Sequence, residues 1–79
     1  MDIKELGKRI KSYRIAAGHT QAELAIYLNC SQVCYSYYEI GRREIPLEVL
    51  CRLADFYGTS CDYLLERTDQ KNPYPPKSK

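Results

Sequence analysis

The stretch Thr20–Glu39, TQAELAIYLNCSQVCYSYYE, constrains this chain more than any other. Leu24, Ala25 and Leu28 fall at i, i+1 and i+4, which makes one apolar stripe on a helix. Thr20 is a good N-cap for that helix, and Glu23, three residues on, completes the pattern of a capping box. Asn29 follows the stripe, and Asn tolerates the left-handed backbone that ends a helix. Ser31 then caps a second helix whose inward side is Tyr35 and Tyr38, with Cys30 leading in. Ala25 is small where the two helices cross, so their backbones can approach closely. The prediction is two short helices, 21–28 and 32–40, joined by a tight turn.

The flanks supply the rest of a bundle. Ile3, Leu6, Ile10, Tyr13 and Ala17 recur every three or four residues, which predicts a helix over 2–17. Asp2 with Glu5 resembles a capping box, and Gly18 is a stop. After Gly41 and the loop Arg42-Arg43-Glu44-Ile45, Pro46 suits the first turn of a helix over 46–57. Leu47, Leu50, Cys51 and Ala54 are its expected inward residues, and Gly58 its stop. Ser60 caps a short helix over 61–67, with Leu64 closing the core. The end, DQKNPYPPKSK, has three prolines, three lysines and almost no apolar content, the composition of a disordered tail. The reading is one all-α, five-helix domain over 1–68 and a tail over 69–79.

At 79 residues the chain can bury one core but no large active-site cleft. It has a single histidine, no nucleophile–base pair at sensible spacing and no phosphate-binding glycine loop, so an enzyme is not expected. No apolar run reaches bilayer length and the start lacks a signal-peptide core, so the expected setting is soluble and cytoplasmic, without a membrane partner. Four cysteines raise the question of zinc or disulfides. They form no C-x-x-C pair and lack histidines at finger spacing, so reduced, mostly buried thiols are expected, with no metal, cofactor or small-molecule ligand. The net charge of +2 is mild; a nucleic-acid partner would require the positive groups on one face. Lys4, Lys8, Arg9, Lys11 and Arg14 crowd the first helix, and Arg42 and Arg43 follow the third. Lys4, Lys8 and Lys11 read as a solvated face.

Three segments carry a resemblance: RIKSYRIAAGHTQAELA, then SQVCYSYYEIGRR, then IPLEVLCRLADFYGTSCDYLL. Together they resemble the Cro/C1 (XRE-type) helix-turn-helix proteins, with a lambda-repressor-like fold, over about residues 3–68. The resemblance implies that the third helix lies in the DNA major groove while the second crosses the backbone. It implies base contacts from Gln32, Val33, Ser36 and Tyr37. Phosphate contacts would come from Gln21 with Thr20, from Ser31, and from Arg42 and Arg43. It implies a structural ion pair between Arg14 and Glu39. The partner would be double-stranded DNA, bound by a symmetric homodimer on half-sites about 34 Å apart. The role would be transcriptional regulation, with repression expected. Phe56, Tyr57, Tyr63 and Leu65 are candidates for the dimer contact.

Helix 32–40 has no lysine or arginine, so bidentate arginine reading of guanine is not available from it. Gln32 can pair with adenine and Val33 can touch a thymine methyl, which predicts A·T-rich contacts. Against the family pattern, Tyr37 replaces a basic or amide residue, Tyr35 a smaller aliphatic one, and Asn29 a glycine. Tyr27 and Tyr37 read as exposed. Beside Ile26 and Val33 they leave open a second reading, a protein-interaction module such as an antitoxin-like partner of a neighbouring protein.

Overall fold

Each helix starts and stops where a specific side chain or backbone turn ends it. A computed structural model describes residues 2–67. Within it α1 spans Ile3–Ala17, α2 Gln21–Leu28, α3 Gln32–Ile40, α4 Leu47–Phe56 and α5 Cys61–Leu64, with no strand among the described residues. Asp2, Thr20, Ser31 and Ser60 cap four of them, each accepting from the backbone N–H three residues on at 2.8–3.1 Å. Such caps satisfy N–H groups that the helix itself cannot. At the other ends Gly18, Asn29 and Gly41 turn the chain through left-handed backbone at φ 78°, 57° and 74°.

The core is Ile10, Leu24, Ala25, Leu28, Tyr35, Tyr38, Leu50, Leu53, Ala54 and Leu64. Each of its fully buried aliphatic side chains contributes about 1.5–3 kcal/mol. α3 lies centrally and packs on both α1 and α2, while α5 bridges α4 and α1. Gly7 lets α1 approach α3: a Cβ there would stand 2.5 Å from the carbonyl oxygens of both Tyr38 and Glu39. That contact seats the last turn of α3 directly on α1.

Several expectations need correction. In α4 the buried stripe is Leu50, Leu53 and Ala54, whereas Leu47 and Cys51 are exposed. Two stripes at helical spacing overlap at Leu50 and Ala54, and the one with Leu53 in place of Cys51 buries more apolar area. α4 is also shorter than 46–57, because Pro46 remains extended at ψ 149° and Tyr57 turns away at ψ 3°. α5 stops at Leu64 rather than Arg67, and Glu66 is left-handed at φ 60°. In α1 Ile10 is fully buried, Ile3, Leu6 and Tyr13 are half-buried and Ala17 is exposed. The tail 69–79 lies outside the described residues.

Phe56, Tyr57, Tyr63 and Leu65 are half-buried rather than a free apolar surface. Tilted and edge-on ring contacts join this region: Phe56 meets Tyr27, His19 and Tyr57 at 4.7, 5.0 and 5.1 Å, and Tyr57 meets Tyr13 at 5.3 Å. No described helix is long and apolar enough to cross a membrane.

Candidate nucleic-acid interface

The helix-turn-helix is closed by reciprocal caps. Thr20 Oγ1 accepts from Glu23 N at 3.1 Å, and Glu23 Oε1 accepts from Thr20 N at 3.0 Å. Between the helices Asn29 is left-handed, and Cys30 N donates to Ala25 O at 3.0 Å. Ser31 Oγ accepts from Cys34 N at 3.0 Å, so the first turn of α3 is fixed from its start. Thr20 and Ser31 are exposed, and both spend their hydroxyl oxygens on these caps.

Gln32 and Val33 follow directly and face solvent, Val33 at 60% exposure. Ser36 and Tyr37, one turn on, are half-buried. Ser36 Oγ donates to Val33 O at 2.7 Å, so its proton is committed to the helix and it offers outward only lone pairs. The guanidinium groups of Arg42 and Arg43 lie 5.1 and 6.0 Å from the Tyr37 ring centre, within cation–π range. Arg43 Nη1 also donates to Cys34 Sγ at 3.2 Å. A hydrogen bond from Tyr38, then the Arg43 guanidinium, lowers the Cys34 thiol pKa against its slight burial. Tyr37 is therefore a platform under the two arginines rather than a free ring.

Tyr27, expected exposed, is half-buried as well. Its hydroxyl donates to Arg52 O at 2.8 Å, and Arg52 donates back to the carbonyls of Tyr27 and Leu28. With both tyrosines engaged, the exposed aromatic patch that supported an interaction module is absent from the described surface. Ile26, Val33 and Ile40 remain exposed, at 80%, 60% and 56%.

At the last turn of α3 sits a buried charge cluster. Arg14 Nε and Nη2 donate to Glu39 Oε2 and Oε1 at 2.6 and 3.1 Å, a two-pronged contact. Arg14 Nη1 donates to His19 O at 2.9 Å, and Gln21 Nε2 donates to Glu39 Oε1 at 3.0 Å. Glu39 is 3% exposed. Burial opposes its ionisation, but the bonds from Arg14 and Gln21, with Tyr35 beside it, outweigh that and hold its pKa below the usual range. The Glu39 bond, in turn, raises the Arg14 pKa. One N–H of the Gln21 amide is thus bound inside the protein, which leaves the second N–H, the carbonyl oxygen and the backbone N–H for an outside partner.

Three features escaped the sequence reading. Arg9 looked like part of a basic face, yet it donates to Leu64 O at 2.9 Å and Tyr63 O at 2.8 Å and pairs with Glu66 at 3.2 Å. Nothing in the local pattern separates it from its neighbours. The Tyr27–Arg52 clip joins residues too distant for periodicity to connect. Gly7 did carry a signal, a glycine inside a helical pattern. The thiols are less buried than expected: Cys51 is exposed, and its Sγ lies 3.2 Å from that of half-buried Cys61. No three metal-binding side chains cluster among the described residues.

The comparisons with known proteins agree with this geometry. Residues 5–67 match the model of a helix-turn-helix domain family. Over 62 residues the chain is 37% identical to the SPbeta prophage-derived HTH-type transcriptional regulator YonR of Bacillus subtilis, covering 78% of this chain and 57% of YonR. Over 64 residues it is 41% identical to the HTH-type transcriptional regulator ImmR of the same organism, covering 81% and 50%. The chain spans about half the length of these curated relatives. Among solved structures it superposes on the clp gene regulator ClgR of C. glutamicum with a TM-score of 0.73 and 32% identity, covering 80% and 82% of the two chains. The restriction-modification controller protein C.AhdI of Aeromonas hydrophila shares the fold, with a TM-score of 0.72 at 24% identity, covering 78% and 94%. The chain belongs to the helix-turn-helix domain family, in its Cro/C1-type branch.

Proposed function

We propose that this protein binds double-stranded DNA sequence-specifically and regulates transcription, as a cytoplasmic repressor acting as a homodimer and without a catalytic role. α3 enters the major groove and the start of α2 meets the backbone. Gln32 pairs with adenine, Val33 touches a thymine methyl, and Ser36 accepts from an exocyclic amine. Thr20, Gln21 and Ser31 approach phosphates at the helix starts. Arg42 and Arg43, held over Tyr37, grip the flanking backbone. The regulatory role extends the names of the relatives to this chain.

The observation that carries the reading is the exposure of Gln32 and Val33 on a helix start fixed by Ser31, with two arginines at the far end of the same helix. Selection from random duplexes tests it. A pseudo-palindrome with A·T pairs at matching positions of each half-site is expected. Gln32→Ala should cost about 1–3 kcal/mol on the selected site and relax preference at one position. Recovery of no common sequence, or a Gln32→Ala variant with unchanged preference, refutes it.

A further inference from the structure

α1 carries its basic side chains on two faces with opposite fates. Arg9 is consumed by two carbonyls and Glu66. Lys4, Lys8 and Lys11, at i, i+4 and i+7, share the other face and are all exposed. Among the described residues none of the three ammonium groups has an ion-pair partner. They line one concavity of about 330 Å³, whose other walls are Gln21, Glu39 and Ile40. The one acid there, Glu39, is already spent on Arg14 and Gln21. Three uncompensated positive charges around a single hollow repel one another until an anion enters.

The hollow also adjoins the basic loop. A Cβ on Gly41 would stand 2.7 Å from Lys4 Cγ, so the loop carrying Arg42 and Arg43 leaves α3 against the first of the lysines. From Lys4 to Lys11 the row runs about 10 Å along α1 at 1.5 Å per residue. One DNA strand presents a phosphate about every 3.4 Å of axis. Measured along the DNA axis, the row matches about three phosphate-to-phosphate intervals, room for one contact from each lysine.

We propose that Lys4, Lys8 and Lys11 form a second backbone clamp, a groove for consecutive phosphodiesters continuous with the Arg42–Arg43 grip. This rests on the DNA-binding reading above. The clamp carries no sequence information, because phosphate contacts position a protein without reading bases. It adds affinity and salt dependence, on specific and unrelated duplexes alike. A reading that treats these lysines as a solvated face predicts neither effect.

The test is fluorescence anisotropy of labelled duplex across a salt series. The 79-residue chain is compared with three triple variants: Lys→Gln at 4, 8 and 11, Lys→Arg at the same positions, and Lys→Gln at 71, 77 and 79. Both glutamine triples lower the formal charge equally, from +2. The α1 glutamine triple should flatten the negative slope of log K against log salt by about 2–3, at about 0.9 per phosphate contact, with base preference unchanged. The arginine triple should keep the wild-type slope, which a purely structural role of lysine would not predict. The tail triple should move the slope less. An unchanged slope in the α1 glutamine triple, or equal losses in both glutamine triples, overturns the clamp while leaving DNA binding intact. Failure of the wild-type protein to bind duplex sinks the clamp and the function together.

Discussion

Replacing Glu39 by glutamine keeps the shape of the side chain and removes its charge. In the folded protein that charge is 3% exposed and takes two hydrogen bonds from Arg14 and one from Gln21. Glu39→Gln leaves the Arg14 guanidinium, whose side chain is 13% exposed, without its counter-charge. Removing one partner of a buried pair costs about 3–5 kcal/mol, because the surviving charge stays desolvated. A domain of this size has a total stability of only about 4–12 kcal/mol at roughly 0.05–0.15 kcal/mol per residue. At about 4–8 °C per kcal/mol the melting temperature should fall by roughly 12–40 °C.

Arg14→Met gives the second edge of a double-mutant cycle. The double variant should be less destabilised than the sum of the singles, because no unpaired charge remains. The pH dependence follows from the lowered Glu39 pKa. A depressed carboxylate pKa contributes stability that is present above its unfolded value, near 4.5, and lost as pH falls through the folded value. The gap between wild type and Glu39→Gln should therefore be widest near neutral pH and close on acidification. Thermal melts followed by circular dichroism at several pH values read both effects. Single variants costing under about 1 kcal/mol, an additive double variant, or a gap independent of pH would each refute the reasoning.

Other expectations are narrower. Gly7→Ala puts a methyl group 2.5 Å from two backbone carbonyls and should cost about 3 kcal/mol or more, at or beyond the upper end of overpacking penalties. Gly18→Ala meets nothing within 4 Å and strains only φ 78°, so urea melts should show about 1–2 kcal/mol. If Arg42 and Arg43 hold phosphates as proposed, Arg42→Ala and Arg43→Ala should each flatten the salt slope of binding by about one unit, measured by anisotropy. Tyr57→Phe removes a buried hydroxyl without a hydrogen-bond partner and should be neutral or slightly stabilising in a thermal melt; a loss above about 1 kcal/mol would mean that the hydroxyl is satisfied. Glutathione disulfide should link Cys51 to Cys61 intramolecularly, given their 3.2 Å contact, and peptide mass mapping would identify the bond or its absence.

The sequence was most informative where one residue's chemistry sets one local geometry. Thr20 with Glu23, Asn29 and Ser31 each bring their own hydrogen bonds or backbone preference, so the turn could be read without its surroundings. Leu64 was legible as core because little else in its short helix is aliphatic. Legibility failed where two local solutions compete and long-range packing decides. α4 carries two overlapping apolar stripes, and only the arrangement of the bundle selects Leu53 over Cys51. Tyr27 looks exposed on α2 until Phe56 and Arg52 arrive from α4. Arg9 reads like Lys8 and Lys11 until the carbonyls that end α5 and the Glu66 carboxylate meet it. Within the candidate site, residue types indicated Gln32 and Val33. That Ser36 turns its proton inward and that Gln21 is tied to Glu39 depend on neighbours that local pattern does not specify.

These ties bear on how so small a body could hold a reading helix steady. Glu39 sits at the end of α3, Arg14 on α1 and Gln21 at the start of α2, so one carboxylate fastens three helices at a single point. Gly7 brings α1 onto the carbonyls of Tyr38 and Glu39 in the same last turn of α3. The other end of α3 is held by the turn from α2, where Cys30 N donates to Ala25 O, and by the fully buried Tyr35. A rod held at both ends cannot swing without unseating Tyr35 or exposing a buried charge, and either is expensive against the modest stability of a domain this size. The base contact proposed for Gln32 demands such fixity, because a bidentate hydrogen bond tolerates little misplacement. Glu39→Gln should therefore weaken discrimination between matched and mismatched duplexes even at temperatures where the variant remains folded. Binding measured well below its melting point on matched and single-mismatch duplexes separates this from simple unfolding. Equal loss on both would leave Glu39 a stability residue alone.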